Sequence, residues 1–364
     1  MPEQNPIKKL FNLYTSDLSY NEMEKLLKRE ATEVYEFFAS EIPKDENKSR
    51  NKFVRALLFL RSLFNAFLLK MSAGRRIFYL AAVLIFLIGF IKLNLIYFLI
   101  AFLIINALLA FELADKLTAK DELSLARKIQ ADLMPKVPPE NEYFNISAYY
   151  ESAREVSGDY YDFVKSPKDD CKTYLVIGDI SGKGIAAALY MVRVQAIINY
   201  LIKQIDSPKD LIINLKKHFA EKLLPEYFLT IIAGCIDNEG KIRFCRAGHT
   251  PLLIYRNTTK EFEEINPKGM GIGLNDKGIF EKTIEEESVE TSAGDIVCFY
   301  TDGITETMNN HKKEFGIENL KSVIKNNSHL EVDKIKQGVI SAVNQFRGNT
   351  ASHDDLTIIL MKAK

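Results

Sequence analysis

The sequence predicts an α+β protein, an antiparallel β sandwich flanked by helices and preceded by a helical N-terminal region with a transmembrane hairpin. Three observations support this prediction. Residues 77–111 form a nearly unbroken apolar run, short β-branched runs begin near residue 145, and helical patterns lie in two groups between those runs. Helices grouped between runs of strands are typical of α+β domains. With 364 residues, the chain is long enough for about two units, one of them with a full hydrophobic core.

The overall charge argues against nucleic acid as a partner. Lysine and arginine together number 48, and aspartate and glutamate also number 48, so the formal net charge is zero. A nucleic-acid binder normally has a basic excess on one face. Basic residues do gather ahead of the apolar run, which indicates contact with a membrane surface.

The four cysteines indicate a reducing compartment. They form no C-x-x-C pair, and no histidine lies at zinc-ligand spacing from them. Free thiols are therefore expected, at Cys171, Cys235, Cys245 and Cys298. No signal peptide is expected, because the first strongly apolar run begins far from Met1.

The apolar run is predicted to be a helical hairpin that spans a membrane. Only Lys92, Asn94 and Asn106 interrupt it. As one straight helix it would be about 50 Å long, well over the ~30 Å hydrocarbon core, so two spans of about 17 residues that turn near residues 92–94 fit better. A buried helical pair in a soluble protein is the alternative, which the lack of charge within either run disfavours.

The charge distribution predicts the topology of the hairpin. Basic residues precede the first span, at Lys70, Arg75 and Arg76. The positive-inside rule therefore puts the N-terminus in the cytoplasm, and a hairpin returns the chain to that side of the inner membrane as a multi-pass protein. The predicted segments are a helical cytoplasmic or interfacial region at 1–75, the hairpin at 76–112, a linker helix at 113–141 and a globular domain at 142–364.

The linker helix has an apolar face without a continuous heptad pattern. Leu125, Ile129 and Leu133 recur every four residues, whereas Leu113 and Leu117 lie on another side of the helix. A short parallel coiled coil that joins two copies of the chain would use the first face. We favour the simpler alternative, an amphipathic helix that docks on the next domain, since barely three heptads are present.

Strand and helix patterns fill the rest of the chain. Runs rich in β-branched and aromatic residues predict strands at 146–150, 160–164, 173–177, 228–236, 241–246, 252–255, 296–300 and 356–361. Apolar residues at helical spacing predict helices at 185–203, 208–223, 317–324 and 332–346. Turn residues separate these elements, for example at 238–240 and 293–295.

Aspartate stands at a strand edge, beside glycine or a second carboxylate, in four segments. They are SGDYYD at 157–162, GDISG at 178–182, YTDG at 300–303 and HDDLT at 353–357. One such segment alone is commonly a structural turn. Carboxylates brought together repel each other unless a proton or a cation offsets their charge, and all-oxygen sites suit Mg²⁺ or Mn²⁺. Two such ions can activate a shared water and stabilise both ends of a displacement at phosphorus.

Six motifs follow one another in order, GDYYDF, GDISGKG, AGHTP, YTDGITE, FG and DDLT, after an ARKIQADLMP segment at 126–135. From about residue 120 to 362, this order resembles the SpoIIE-type branch of the PPM (type 2C) protein phosphatases, bacterial regulators of the partner-switching kind. The resemblance implies a PPM-type α-β-β-α sandwich and two Mn²⁺ or Mg²⁺ ions. It also implies hydrolysis of phosphoserine or phosphothreonine by activated water, without a phosphoenzyme. The implied substrate is a small cytoplasmic phosphoprotein, such as a STAS-type anti-sigma-factor antagonist.

The resemblance also assigns the catalytic metal ligands. Asp179 would bridge both ions, with the Ile180 carbonyl as a further ligand. Asp159 would hold one ion, while Asp302 and Asp354 would hold the other. Asp355 lies beside them in the last motif and is a further candidate. Supporting roles in the backbone and rim of the site fall to Gly158, Asp162, Gly182, Gly184, Gly248, His249 and Gly303.

Lys183 stands where this branch commonly has histidine. It would either orient the phosphate or face solvent at the start of a helix, and we favour the second interpretation. Neither Ile180 nor Ser181 can be the imidazole acid that other type 2C enzymes place after the bridging aspartate. The group that protonates the leaving oxygen is therefore open, and a metal-bound water is our working assumption.

Three alternatives have weaker support. A nucleotide-binding P-loop would need wider glycine spacing than 182–184 and a Ser or Thr at Gly184. His249 and His353 would be general acids or zinc ligands, although a histidine at a strand end commonly caps a turn. A catalytically silent module that holds a regulatory partner at the membrane is the main rival, and the complete set of four aspartates argues against it.

Overall fold

The computed structural model describes residues 52–364, apart from 167–172, 206 and 276. Contacts divide the chain after Thr118 into two compact units. The predicted helical region at 1–75 is described only from residue 52 onward, so its first part stays a prediction. Cys171 also lies outside the described residues, whereas Cys235, Cys245 and Cys298 are buried and form no disulfide, as expected.

Three helices begin the described chain, α1 (Lys52–Lys70), α2 (Ala73–Lys92) and α3 (Leu95–Leu133). Leu93 ends α2 in the left-handed conformation, with a φ of 50°. The Asn94 side chain then accepts a hydrogen bond from the Ile96 N–H at 3.0 Å, which starts α3. The chain thus turns at residues 92–94, as predicted. Both α2 and α3 are long and apolar enough to cross a membrane, by length and composition.

Small residues let α2 and α3 approach each other closely. A Cβ atom on Gly89 would lie 2.9 Å from the Tyr97 Cβ, so the helices meet with little room at the turn. Ala82 and Ala101 are fully buried. Small residues at such an interface are typical of helix pairs in lipid, where tight packing replaces the hydrophobic effect.

The two arginines in the first turn of α2 have partners within the protein. Arg75 donates to Glu112 at 2.9 Å and to Asp115 at 2.7 Å, on α3. Arg76 donates to the carbonyl oxygens that end α1, with Leu68 at 2.9 Å, so it caps that helix. These two charges are used in packing the helices, and the expectation that the basic cluster contacts a membrane surface stays a prediction.

The second unit contains ten strands and six further helices among the described residues. The strands are β1 (Phe144–Glu151), β2 (Asp159–Lys165), β3 (Thr173–Ile180), β4 (Leu229–Ile236), β5 (Ile242–Ala247), β6 (Leu252–Arg256), β7 (Glu261–Ile265), β8 (Glu286–Val289), β9 (Ile296–Tyr300) and β10 (Leu356–Ala363). The helices are α4 (Ile185–Leu201), α5 (Pro208–Phe219), α6 (Phe280–Thr283), α7 (Asp302–Glu306), α8 (Ile317–Asn327) and α9 (Val332–Arg347).

Two five-stranded antiparallel sheets form the sandwich. The first has the order β1-β10-β9-β6-β7 and the second has the order β2-β3-β4-β5-β8. Side chains alternate between the two faces of a strand, so each face of a sheet must find its own cover. In β6, Leu252 and Ile254 join the core with the second sheet and with α4 and α5. Leu253 and Tyr255 face the other way, into a second core with α8 and α9. The architecture is thus the predicted α-β-β-α sandwich.

All eight predicted strands and all four predicted helices of this unit are present. The two strands that the sequence pattern missed are β7 and β8, with the sequences EFEEI and EESV. Both lie at sheet edges, where glutamate can point to solvent and alternating hydrophobicity is lost. The third strand is also longer than predicted, so that Asp179 lies inside the ladder rather than after it.

The end of α3 docks on the sandwich with a different face from the one expected. Gln130 and Met134 are buried, whereas Leu125 is 59% exposed and Ile129 is 57% exposed. The prediction that the Leu125–Ile129–Leu133 face docks on the domain is therefore wrong for its first two members. The physical reason is that a buried glutamine can dock when both its amide nitrogen and its amide oxygen have hydrogen-bond partners, as they do here.

Candidate metal centre

Asp159 and Asp179 stand directly opposite each other in the antiparallel ladder of β2 and β3. Like charges at such positions are unfavourable unless something offsets them. Asp159 begins β2 because Gly158 precedes it, and a Cβ atom at Gly158 would lie 2.9 Å from the Ile180 carbonyl oxygen and 3.1 Å from Asp179 Oδ1. Because Gly158 has no side chain, the Ile180 carbonyl and the Asp179 carboxylate can lie close to the backbone that precedes Asp159.

The Asp159 carboxylate is held by the opposite sheet. It is only 2% exposed, and its Oδ2 accepts hydrogen bonds from Thr301 Oγ1 at 2.8 Å and from Thr357 Oγ1 at 2.5 Å. These threonines lie at the end of β9 and in β10, and the Thr357 N–H donates to Thr301 Oγ1 at 3.1 Å. Burial raises the pKa of Asp159 well above its usual range, with a smaller contribution from Asp355, while both threonines oppose that rise.

Asp179 is half-buried beside the same acidic neighbours. Burial, then the charges of Asp159, Asp302 and Asp354, raise the pKa of Asp179 to about 9. A carboxyl group with such a pKa keeps its proton at neutral pH unless a cation takes the place of the proton. The same neighbours that raise this pKa are the other three predicted ligands.

Asp302 and Asp354 form the outer part of the cluster. Asp302 begins α7, where Gly303 is essential, because a Cβ atom there would lie 1.9 Å from the Asp355 carbonyl oxygen and 3.4 Å from the Asp354 Cβ. Asp302 is exposed, yet partial burial and then Asp354 raise its pKa. Asp354 Oδ1 accepts the Asp355 N–H at 3.0 Å, which leaves Oδ2 facing Lys183.

Lys183 is bound to this outer part of the cluster. Its Nζ donates to Asp354 Oδ2 at 2.8 Å and to the His353 carbonyl oxygen at 2.5 Å. The interpretation that Lys183 merely faces solvent is therefore wrong. The left-handed glycines on either side of it, Gly182 with a φ of 88° and Gly184 with a φ of 86°, turn the chain so that the side chain reaches the last motif.

Asp355 accepts hydrogen bonds from three donors of one loop. Its Oδ1 accepts from the Ala153 N–H at 2.8 Å, and its Oδ2 accepts from Ser157 Oγ at 2.6 Å and from the Gly158 N–H at 2.9 Å. The loop at 152–158 is thereby fixed just ahead of Asp159. Asp355 thus lies next to the cluster, and its hydrogen bonds hold the backbone of the loop at 152–158.

The remaining predicted residues lie behind or beside the cluster. Asp162 is on the opposite face of β2, where it accepts from the Tyr160 hydroxyl at 3.0 Å and from Asn199 of α4 at 3.2 Å. Gly248 has a φ of 72°, and a Cβ there would lie 2.6 Å from the Gly271 nitrogen. Both residues are structural in this arrangement.

His249 is placed too deeply to serve as an acid at the reacting phosphate. It is 4% exposed, and its Nδ1 lies 2.9 Å from Thr230 Oγ1. Thr230 is the β4 residue opposite Asp179, so its side chain, with His249 bound to it, lies on the same face of the sheet as Asp179. Burial, and then Arg246, lower the pKa of His249 to about 3, which leaves the imidazole neutral.

Five further residues contribute to the site without having been predicted as functional. Ser157, Thr301 and Glu306 are part of the quoted motif segments, Thr357 ends the last motif, and Gln130 belongs to the segment at 126–135. The pKa of Glu306 is raised by partial burial and then by Asp302. The sequence signal for these residues was that each is a polar side chain within a motif. Their hydrogen-bond partners could not be read from the sequence, because they depend on strand register. As the side chains stand in the described part of the chain, no group of three or more His, Cys, Asp or Glu is close enough together to hold a metal ion, so binding would require the carboxylates of the cluster to draw in.

The chain matches known phosphatases in sequence. The family model of SpoIIE (stage II sporulation protein E) matches residues 169–364, which is more than half of the chain. The phosphoserine phosphatase RsbU of Bacillus subtilis is 27% identical over 252 residues, or 67% of this chain and 71% of RsbU. The phosphoserine phosphatase RsbP of the same organism is 24% identical over 68% of this chain, which spans 59% of RsbP.

Solved structures share the fold of the second unit. The SiaA PP2C domain of Pseudomonas aeruginosa superposes with a TM-score of 0.59 at 17% identity, covering 68% of this chain and 98% of that domain. The PP2C phosphatase domain of SpoIIE from Bacillus subtilis superposes with a TM-score of 0.50 at 20% identity, covering 62% of this chain and 64% of that one. At these identities the structural likeness concerns the fold alone. The chain therefore belongs to the SpoIIE family and carries a serine/threonine protein phosphatase domain.

Proposed function

We propose that this chain is a membrane-anchored, metal-dependent phosphatase that removes phosphate from serine or threonine in a regulatory protein. The observation that supports it most is geometric: Asp159 stands directly opposite Asp179 in the ladder of β2 and β3, and Asp302 and Asp354 lie near enough to help raise the pKa of Asp179. Repulsion of this kind, built into one edge of a sandwich, costs stability in the absence of a cation and favours binding of one.

The cluster would hold two hard divalent ions. One ion would be held by Asp159 and Asp179 with the Ile180 carbonyl, and the other by Asp179, Asp302 and Asp354. Carboxylate and carbonyl oxygens are the ligands that Mg²⁺ and Mn²⁺ prefer. Asp355 would position the loop at 152–158 rather than bind directly, because its oxygens already accept three hydrogen bonds.

The reaction would follow from this arrangement. When bound, two Mg²⁺ or Mn²⁺ ions supply the charge that activates a water and stabilises the transferring phosphoryl group. Thr301 and Thr357 hold Asp159 in one orientation through their hydroxyls. Lys183, once released from Asp354, would place a positive charge at the rim of the site, next to where a phosphate must enter.

The substrate would be a phosphoprotein of a partner-switching system, in particular a STAS-type antagonist of an anti-sigma factor. RsbU and RsbP are both named as phosphoserine phosphatases, and this chain shares its phosphatase region with them. The alternative is the catalytically silent binding module, which measured phosphatase activity would exclude.

The decisive experiment replaces the bridging ligand. Asp179→Asn should lower Mn²⁺-dependent release of phosphate from a phosphorylated STAS protein by at least about 100-fold, because a direct ligand should matter at least as much as the groups that orient one. Asp162→Asn is the matched control, since that carboxylate lies on the opposite face of β2. Retained activity in Asp179→Asn would refute the site, and a wild-type chain without activity would favour the silent module.

The membrane anchor would be a hairpin of α2 and the apolar part of α3, with both of its ends in the cytoplasm. Arg75 supports this arrangement, because its ion pairs with Glu112 and Asp115 join the base of α2 to α3 at one level. In a Cys171→Ser background, Asn94→Cys should react with a membrane-impermeant maleimide in intact cells, whereas Lys120→Cys should react only after permeabilisation. Equal labelling of both would refute the topology.

A homodimer through the linker helix is also proposed, because Leu125 and Ile129 leave an apolar face uncovered. In detergent, light scattering should give the mass of two chains for the wild type. The double change Leu125→Glu and Ile129→Glu should give the mass of one. A wild-type monomer would refute the dimer.

A further inference from the structure

Gln130 is a polar residue buried where α3 meets the sandwich. It is 4% exposed, although a glutamine of a linker helix would ordinarily face solvent. Its neighbours along the same helix, Leu125 and Ile129, are exposed instead. A buried amide in place of apolar side chains needs specific partners, and their identity is informative.

Both partners of the Gln130 amide belong to one residue, Ser157. Gln130 Nε2 donates to the Ser157 carbonyl oxygen at 2.7 Å, and the Ser157 N–H donates to Gln130 Oε1 at 2.9 Å. The pair of bonds fixes both the position and the orientation of this peptide, much as a neighbouring strand would. The loop at 152–158 has no strand partner of its own, so the glutamine replaces one.

Ser157 passes this constraint directly to the metal centre. Its Oγ accepts the Asp159 N–H at 3.0 Å and donates to Asp355 Oδ2 at 2.6 Å. The next residue, Gly158, accepts the Ile180 N–H at 3.3 Å. Gln130 is thus linked to the backbone of Asp159 through one intervening residue, Ser157, although Gln130 and Asp159 lie on different elements of the chain.

We infer that Gln130 is a positioning residue of the phosphatase, which sets the loop at 152–158 and through it the Asp159 carboxylate. This inference rests on the proposed metal site for its effect on catalysis. Groups that orient metal ligands without touching the metal typically change affinity by about 10- to 100-fold when they are removed. Gln130 has the geometry of such a group, because it bonds both the backbone N–H and the backbone carbonyl of Ser157.

The test compares two glutamines in the full-length protein. Gln130→Met keeps the size of the side chain and removes both bonds to Ser157. Gln195→Met is the matched control, because Gln195 donates to the Leu133 carbonyl oxygen at 3.3 Å and so joins α4 to the end of α3 without touching the loop. Calorimetric titration with Mn²⁺ should show about 10-fold weaker binding for Gln130→Met and a change of less than about twofold for Gln195→Met.

Hydrogen exchange of the metal-free protein separates this inference from the proposed function. Amides at 153–159 should exchange at least about 10-fold faster in Gln130→Met than in the wild type, and should be unchanged in Gln195→Met. Unchanged exchange and unchanged Mn²⁺ affinity in Gln130→Met would overturn the inference. A wild type that binds no Mn²⁺ would instead refute the metal site, and the exchange rates would still decide the role of Gln130.

A conservative variant covers the case in which Gln130→Met does not fold. Gln130→Glu keeps the acceptor for the Ser157 N–H and loses the donor to the Ser157 carbonyl. Its Mn²⁺ affinity and its exchange at 153–159 should lie between those of the wild type and those expected for full loss of the pair. Wild-type values for both measurements would overturn the inference.

Discussion

The acidic cluster has two halves that are held in different ways. The buried half is Asp159 and Asp179, which face each other across a β ladder, with two threonines of the other sheet bound to Asp159. The exposed half is Asp302 and Asp354, which lie on a short helix and a loop, with Lys183 bound to Asp354. The first half is fixed by strand pairing and by the threonine bonds, whereas in the second half a competing positive charge, that of Lys183, binds Asp354.

This difference shows how one part of a site can be preorganised while another part stays accessible to solvent. Strand pairing and the threonine bonds hold the buried half at the cost of raised pKa values, so protons or cations must offset its charge. The exposed half tolerates its charge because water and Lys183 screen it. We therefore expect the buried half to govern stability and the exposed half to govern the affinity for the second ion.

The largest effect should come from moving α7, which carries Asp302, away from the last motif, which carries Asp354 and Asp355. In Gly303→Ala the new Cβ would lie 1.9 Å from the Asp355 carbonyl oxygen, so α7 must move away from the last motif. We expect a loss of about 2 kcal/mol in the free energy of unfolding, as for other overpacked sites, and binding of one Mn²⁺ per chain instead of two. Denaturant unfolding and calorimetric titration measure both quantities.

Gly338→Ala is the control for that change. Gly338 lies inside α9, and the atoms nearest to a Cβ there belong to the side chain of Asn327, at 3.1 Å and beyond, not to the backbone. Alanine favours a helix more than glycine does, so stability should stay equal or rise. Two bound ions in Gly303→Ala would mean that the exposed half does not depend on this contact.

An intermediate effect should appear as a pH dependence of stability. The ordinary carboxyl pKa is 3.8, and in the folded chain that of Asp179 is about 9, because burial and neighbouring carboxylates favour the protonated form. Between these values the folded state binds more protons than the unfolded state, so the free energy of unfolding falls as pH rises from about 4 to about 9. The sign is the opposite of that for a carboxylate stabilised by a salt bridge.

Thermal unfolding in a chelator measures this dependence. The Tm of the wild type should fall on the order of 5 °C between pH 5 and pH 8, and Mn²⁺ should restore it at pH 8. Asp179→Asn should flatten the curve more than Asp354→Asn does, because the buried half carries the larger shift. Equal flattening by both variants would show that the two halves do not differ as described.

The smallest effect should come from removing the competing charge. The side chains of Lys183 and Asp354 are 36% and 39% exposed, and an ion pair of this kind contributes at most about 1 kcal/mol. Lys183→Met should therefore raise the affinity for the second Mn²⁺ by at most about fivefold in a calorimetric titration. Lys336→Met removes a comparable exposed pair with Asp333 and should leave Mn²⁺ binding unchanged. Weaker binding in Lys183→Met would show that the lysine assists the ion.

The sequence predicted the parts of this molecule that depend on local pattern. Strand alternation, helical spacing and the turn at residues 92–94 are local, and so are the short motifs that contain the aspartates. The partners of those aspartates are not local, since Thr357 and Asp159 are 198 positions apart in the chain. Their contact depends on which strands pair and in what register, which short motifs do not specify.

The misjudged residues follow the same rule. Lys183 was expected to face solvent because its own segment contains no partner for it, and Asp354 reaches it from 171 positions away. Gln130 lay in a quoted segment without a role, because Ser157 is on another element. Strands β7 and β8 were missed because edge positions free their side chains from the alternating pattern.

The position of β10 has a consequence for how this enzyme is made. It pairs with β1 on one side and with β9 on the other, yet it follows every other strand of the domain along the chain. During synthesis, β1 and β9 therefore emerge before the strand that lies between them. Asp354 and Thr357 emerge only with that last strand. A nascent chain on the ribosome should thus be unable to act on a phosphoprotein before the whole domain has emerged.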